Sequence, residues 1–258
     1  MLVSITIPVY NNLEGLKNSL QTVVEQTYPN WEAIVVDDGS LENHKSIVDA
    51  INDNRIRFFR FEKNQGRAIA RQKTLEMIQG EYCAFLDAGD FYEKNFLENA
   101  VNILLKNKHL IGVTQTMKIV YQGKVYYSSF DEDKCIDIKS NDYQEVPFAS
   151  TIIKAFFLNQ ISLDISLKHS EDRYLLNHIA SNNHGKIMLL NTNSYVYNQD
   201  EQNAKLSTTL RKYSYESLRL LKDKKYTKTV LNIFKTLFIV LFHSVFGYQK
   251  LLEFRYKK

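Results

Sequence analysis

The chain has 258 residues, 44% of them hydrophobic and 24% charged, a balance that supports one sizeable buried core and excludes a disordered or fibrous chain. Its net charge of +4 is unevenly placed: from Arg211 onward 12 Lys/Arg face 3 Asp/Glu, a net of +9, so the preceding part carries −5. Only the tail invites an anionic partner, and with no nucleic-acid-binding module beside it, nucleic acid is not expected.

In chain order, the apolar run Leu2 to Ile7 ends at Pro8-Val9-Tyr10-Asn11, and a second, Ala33 to Val36, ends at Asp37-Asp38-Gly39-Ser40. Two β-branched runs separated by a helix-length segment predict two parallel strands of a βαβ unit. Their polar ends then lie at the carboxyl edge of the sheet, where open α/β folds bind ligands. Further strands are expected at Ile56 to Phe61 and Tyr82 to Leu86, with helices at Arg67 to Ile78 and Glu93 to Leu105. The alternation predicts a mainly parallel central sheet flanked by helices.

From Ile111 the pattern changes. Val113 to Tyr121 and Lys124 to Ser128 alternate around Gln122-Gly123 as a hairpin, and polar Ser129 to Gln144 reads as an irregular loop. A strand is expected at Val146 to Lys154, a helix from Glu171 to about Ala180 capped by Ser170, and two short strands at Lys186 to Leu190 and Tyr195 to Tyr197. After Lys205 the chain reads as helical and basic. Val230 to Phe246 is apolar but interrupted by Lys235 and His243, leaving it short of the ~20 residues of a membrane span. Tyr226, Val230, Ile233, Leu237, Leu241 and Val245 fall at helical spacing, which suits either packing on protein or lying on an anionic membrane surface with Lys222, Lys224, Lys225, Arg255, Lys257 and Lys258 reaching headgroups.

Several residues could carry chemistry. Asp38 follows a strand and can accept hydrogen bonds from a ribose or base, or close an Asx turn with Gly39 and Ser40. Arg67 and Arg71 stand i, i+4 on one helix face behind Gly66, suited to a phosphate or to a solvated surface. Asp87 and Asp90 flank a strand end, as cation ligands or as turn formers. Glu171 and Asp172 open a helix, where acidic residues also favour the dipole. The histidines show no zinc-like spacing, and Cys83 and Cys135 read as reduced thiols. The missing glycine-rich turn after the first strand argues against a dinucleotide-binding oxidoreductase.

Pro8-Val9-Tyr10-Asn11, Asp37-Asp38-Gly39-Ser40, Asn64-Gln65-Gly66-Arg67 through Arg71, Leu86-Asp87-Ala88-Gly89-Asp90 and Glu171-Asp172, in that order, resemble the GT-A glycosyltransferases of family 2. The resemblance implies a GT-A fold with a C-terminal helical extension: residues 1–205 catalytic, divided into a nucleotide-sugar-binding half (1–110) and an acceptor half (111–205), and 206–258 a basic amphipathic extension. It implies an inverting transfer of a sugar from a nucleotide-diphosphate donor, a UDP-sugar by expectation, to a saccharide or lipid-linked acceptor in surface polysaccharide synthesis. Pro8, Tyr10, Asp38, Arg67, Arg71 and Asp87 would bind the donor, Asp87 and Asp90 would hold Mg²⁺ or Mn²⁺, Asp172 would be the general base and Glu171 its partner. Gly89 stands where the family usually carries a metal-contacting carboxylate. That departure leaves a binding or assembly protein without catalysis as the alternative. With no secretory signal in view, a cytoplasmic setting is expected, peripheral on the inner face of the membrane if the tail binds lipid.

Overall fold

The computed structural model describes residues 1–139, 146–159, 161–163, 171–182, 185–199, 233, 236–240 and 252–253. Ser170, His169 and the tail lysines and arginines lie outside these residues. The chain packs as two units: Met1–Lys118 with Phe130–Tyr197, and Ile119–Ser129 with Asn198–Lys258.

The first unit begins with β1 (Val3–Val9), α1 (Leu13–Val24), β2 (Trp31–Asp37), α2 (Lys45–Ile51), β3 (Ile56–Arg60), α3 (Arg67–Glu76) and β4 (Tyr82–Phe85). All four strands are parallel, in the order β3-β2-β1-β4. β2 is buried along its whole length and β1 nearly so, as expected of β-branched strands covered on both faces. The parallel arrangement aligns the carboxyl ends of β1, β2 and β4 on one edge, so Tyr10, Asp38 and Asp87 emerge together.

Beyond β4 the sheet turns antiparallel, so the expected central sheet flanked by helices is mixed, with its parallel half running from β3 to β4. The chain continues with β5 (Phe91–Tyr92), α4 (Phe96–Lys106), β6 (Leu110–Tyr121), β7 (Lys124–Tyr127), β8 (Lys134–Asp137), β9 (Thr151–Lys154), α5 (Glu171–Asn182) and β10 (Lys186–Asn198). β9 runs antiparallel to both β4 and β6, and β10 antiparallel to β5 and β8. A helical crossover precedes each of β2, β3 and β4. After α4 the connections are hairpins or long excursions, which allow reversal.

Three local expectations change. Lys134–Asp137, placed in an irregular loop by its polarity, is a strand because it pairs with β10 at the sheet edge, where exposed polar residues suit a strand with one solvated face. The two short strands after Lys186 are one 13-residue strand. Phe148–Ser150 is a 3-10 turn, leaving Thr151–Lys154 as the strand.

Alternation along the strands sorts the core into two faces. Tyr82, Ala84 and Ile152 join Leu16 and Leu20 of α1 and Leu97 and Val101 of α4. Cys83, Phe85 and Ile153 join Leu75 of α3 and Leu175 and Ile179 of α5. The helices α3 and α5 therefore share a face of the sheet, although about a hundred residues separate them. Burial pushes the Cys83 thiol pKa up, as suits an inert core cysteine.

In the second unit, the end of β6 (Ile119–Tyr121) and β7 form the expected hairpin around Gln122-Gly123, both residues at positive φ. The Gln199 amide donates to Val120 O at 2.9 Å. Residues 236–240 are helical, with Leu237 and Phe238 exposed and Ile239 buried.

Candidate functional site

The site is built on the loops that leave β1, β2 and β4 and on the first turns of α3 and α5. The loop after β1 is tied to the loop after β2: the Asn11 amide donates to Ser40 Oγ at 2.8 Å, and the Leu41 amide to Asn11 Oδ1 at 2.9 Å. Asn12 then caps α1, accepting from the Gly15 amide at 3.0 Å, and its Nδ2 donates to Ala88 O at 2.8 Å. Three strand ends are thus cross-linked by short polar side chains. Tyr10 projects from this edge with half of its surface exposed, while Pro8 stays inside β1 opposite Val36.

Asp37 and Asp38 divide their work. Asp37 is buried and closes the turn by accepting from the Ser40 amide at 3.0 Å, so the Asx-type turn belongs to it rather than to Asp38. Asp38, also buried, reaches the entrance of α3. It accepts from the Gln65 amide (2.7 Å), the Gly66 amide (2.9 Å) and Asn64 Nδ2 (3.0 Å). Gly66 has φ +98, a conformation that lets the chain turn into the helix and that L side chains avoid. Asp38 therefore fixes where Arg67 starts.

Arg67 and Arg71 share one face of α3, and that face meets the first turn of α5. Glu171, buried, lies 2.9 Å from Arg67 Nε and 3.5 Å from Arg71 Nε. Asp87 answers from the sheet edge, with Oδ1 2.7 Å from an Arg71 terminal nitrogen and Oδ2 3.5 Å from one of Arg67. The four side chains form a closed ring of alternating charge. Burial alone would lower the Arg71 pKa, but Asp87, Glu171 and Asp172 together reverse this and hold its guanidinium charged. Arg67 and Asp87 face solvent, with side chains 51% and 42% exposed, so the ring has a buried rear and an open front. Asp172, half-buried, follows Glu171 in the first turn of α5, and its Oδ1 accepts from the Arg173 amide at 2.7 Å.

The acidic motif after β4 is arranged differently from a set of cation ligands. Asp90 points inward, where Tyr195 Oη donates to its Oδ2 at 2.6 Å, and its carbonyl accepts from Ser19 Oγ at 2.7 Å. Burial first, then the nearby Asp90 carboxylate, raise the Tyr195 pKa well above its ordinary value, so the hydroxyl remains a donor. Gly89 has φ +109 and offers no side chain. Asp87 is the motif's solvent-facing carboxylate, and both its oxygens face guanidinium groups. Among the described residues no three His, Cys, Asp or Glu side chains gather as a metal-binding group. A divalent cation at Asp87 would sit against two positive charges, so these residues do not fit one.

The expected site residues thus fall into a connected set. Asp38 adjoins the start of α3, and Arg67, Arg71, Asp87 and Glu171 touch one another beside Asp172. Asp90 belongs to the buried side of its loop. Sequence reasoning missed residues that hold the acidic loop, among them Asn12, Ser19 and Tyr195. Asn12 had a local signal, a capping residue directly after a strand end. Tyr195 had none, being 105 positions from its partner.

Known proteins resemble this chain in sequence and in fold. The profile of glycosyl transferase family 2 matches residues 4–159. A UDP-Glc:alpha-D-GlcNAc-diphosphoundecaprenol beta-1,3-glucosyltransferase of Escherichia coli, WfgD, is 40% identical over 106 residues, 41% of this chain and 42% of that protein. The glycosyltransferase GlyG of Streptococcus pneumoniae is 26% identical over 217 residues, 76% of this chain and 70% of that one. Other alignments are partial as well: this chain spans 46% of a Bacillus subtilis relative. In fold, the chain is similar to S. aureus TarS in complex with UDP-GlcNAc (TM-score 0.72, 23% identity, 84% of this chain, 65% of that one). It is also similar to the mannosyltransferase PcManGT of Pyrobaculum calidifontis in complex with GDP-Man and Mn²⁺ (TM-score 0.64, 16% identity, 86% and 64%).

Proposed function

The chain belongs to glycosyl transferase family 2 and has its GT-A fold, and from that premise we propose that it is an inverting glycosyltransferase moving a sugar from a nucleotide-diphosphate donor to a hydroxyl of a saccharide or lipid-linked acceptor in polysaccharide synthesis. The observation that carries the reading is the meeting of α3, α5 and the end of β4 at Arg67, Arg71, Asp87 and Glu171, directly beside Asp172.

Tyr10, exposed at the end of β1, supplies a flat face for the donor base, and Pro8 shapes the strand behind it. Asp38 contributes by fixing the α3 entrance. The half-exposed guanidinium group of Arg67 suits the diphosphate, since planar N–H pairs match phosphate oxygens, and buried Arg71 adds positive charge behind it. In the reaction, the acceptor oxygen forms a bond to the anomeric carbon from the face opposite the diphosphate. The bond from that carbon to the diphosphate oxygen breaks with its electron pair, and Asp172 takes the hydroxyl proton. One such displacement inverts the anomeric centre. Glu171 cannot share the proton's place, because it is occupied by the two arginines.

A UDP-sugar is favoured as donor by the ligand of TarS and by the name of WfgD, and the latter also favours a lipid-linked acceptor. The acceptor half is assigned to 111–205. No helix among the described residues is long and apolar enough to cross a membrane, and exposed Ile233, Leu237 and Phe238, which fall within the basic segment of the sequence, suit a membrane surface instead.

Replacing Asp172 by Asn tests the assignment. Transfer from a UDP-sugar to a lipid-linked saccharide should fall by about 10²–10⁴-fold while UDP binding persists. Unchanged transfer would remove Asp172 from the chemistry. Absence of transfer in both wild type and variant, with UDP still bound, would favour the binding-protein alternative that Gly89 raises.

A further inference from the structure

We propose that in this chain Arg67 takes the place of a divalent cation at the donor diphosphate, with Arg71, Asp87 and Glu171 as its positioning residues. The inference rests on the donor-site reading above and goes beyond it by assigning the charge that balances the leaving group.

Three observations converge. First, the position where the family usually places a metal-contacting carboxylate is Gly89, and its φ of +109 is one that an aspartate adopts only under strain. A Cβ there would also press on Asn12 Nδ2 at 3.2 Å, a tight contact, so backbone conformation and a close neighbour both favour glycine. Second, Asp90 is committed to the interior through Tyr195. Third, Asp87 is committed to arginine, at 2.7 Å from Arg71 and 3.5 Å from Arg67. Each acidic position that would ligate a metal is glycine, buried or already facing a cation.

The two arginines are not equivalent. Arg71 is buried, and its contacts to Asp87 and Glu171 hold it in the wall of the site. Arg67 is anchored at Nε by Glu171, 2.9 Å away, while its terminal nitrogen makes only the 3.5 Å approach to Asp87. Its side chain is half exposed, which leaves the outer N–H groups able to exchange that long contact for phosphate oxygens. A guanidinium anchored at one edge and open at the other presents a fixed positive charge where negative charge develops on the departing diphosphate. Asp87 keeps its shorter contact with Arg71 when Arg67 turns to the ligand.

The test is calorimetric titration of the full chain with UDP, in EDTA and in excess MnCl₂, for wild type, Arg67→Ala and Arg67→Lys, with a melting curve of each protein to establish folding. The expected result is UDP affinity that agrees within about threefold between EDTA and MnCl₂. Arg67→Ala should weaken it about tenfold in both, the loss of roughly one charge-assisted contact. Arg67→Lys, which keeps the charge, should recover most of that loss and stands in for the alanine variant if the latter does not fold, with a lysine affinity below that of wild type in both buffers as the expected sign. UDP binding that MnCl₂ tightens tenfold or more, or that is indifferent to residue 67, would overturn the inference and leave the donor site standing. Failure of UDP to bind wild type in either buffer would overturn the donor-site reading and this inference with it.

Discussion

Arg67 Nε lies 2.9 Å from Oε1 of Glu171, a buried carboxylate 104 positions later in the chain. That contact closes a ring of charges in which Glu171 has two guanidinium neighbours and is shielded from water. Its value lies in the ring as a whole, since a buried ion is tolerated only while its partners remain.

Glu171→Ala should therefore be costly. It strips both Arg67 and Arg71 of a partner and leaves buried Arg71 with Asp87 as its remaining short contact. Stability measured by urea unfolding should fall by about 3 kcal/mol, the low end for breaking a buried pair because Arg67 is half-exposed. Glu171→Gln, which keeps the shape and one acceptor oxygen, should lose less. Equal stability of Glu171→Ala and wild type would show that the ring contributes nothing to the fold.

Asp38→Ala removes the acceptor for Asn64 Nδ2 and for the Gln65 and Gly66 amides. Asn64 and Gln65 are exposed and Gly66 partly so, which lets water replace some of the loss, and the change should cost roughly 1–3 kcal/mol by chemical denaturation. Asp38→Asn retains one oxygen and should lose less than half of that. UDP affinity of the folded Asn variant separates the two roles of this residue: a purely structural Asp38 leaves it unchanged, whereas a direct contact with the nucleotide weakens it.

Gly89→Ala should lower stability by about 1–3 kcal/mol, chiefly through its φ of +109, with the added methyl also pressing on Asn12 Nδ2 at 3.2 Å. Gly89→Asp should carry the same strain. Thermal melting of both variants against wild type checks this, and an unchanged melting temperature would show that the loop relaxes freely.

Alkaline pH should unfold the protein through its buried tyrosines. The pKa values of Tyr92 and Tyr195 are raised well above 10.0, first by burial and then by neighbouring groups that include Asp90. A raised folded-state pKa means that the contribution is intact below the unfolded value of about 10 and is lost as pH rises past it toward the folded value. Stability should stay level with respect to these groups up to about pH 10, then fall by up to about 1.4 kcal/mol per pH unit for each tyrosine. Tyr92→Phe, which also gives up the bond to Phe85 O, should have a shallower alkaline slope than wild type.

Much of the first half of the fold was legible because its signals are local. The run Leu2 to Ile7 and the run Ala33 to Val36 are β-branched over lengths that suit buried strands, and their turn formers mark the carboxyl edge. The polar segment around Lys134 was not legible as a strand, because its structure comes from pairing with Lys186–Leu189 and not from its own composition. Long β10 was divided in two by the polar residues Asn191 to Ser194. In the structure these are held by partners far away in sequence: the Asn193 amide donates to Thr116 Oγ1, and Ser194 Oγ to Gln115 Oε1.

The candidate site divides in the same way. Residue types and order, together with the resemblance they carry, named Pro8, Tyr10, Asp38, Arg67, Arg71, Asp87, Asp90, Glu171 and Asp172 as candidates for one site, and the i, i+4 spacing placed both arginines on one helix face. What spacing along a chain cannot encode is which carboxylate each arginine meets, or whether an aspartate faces water. Those were decided when the pleat of β4 and β9 sent alternate side chains to opposite faces, bringing α3 against α5 on one of them. Packing on that shared face buried Glu171 between two guanidinium groups, and the turn at Gly89 directed Asp87 outward while Asp90 went inward to Tyr195.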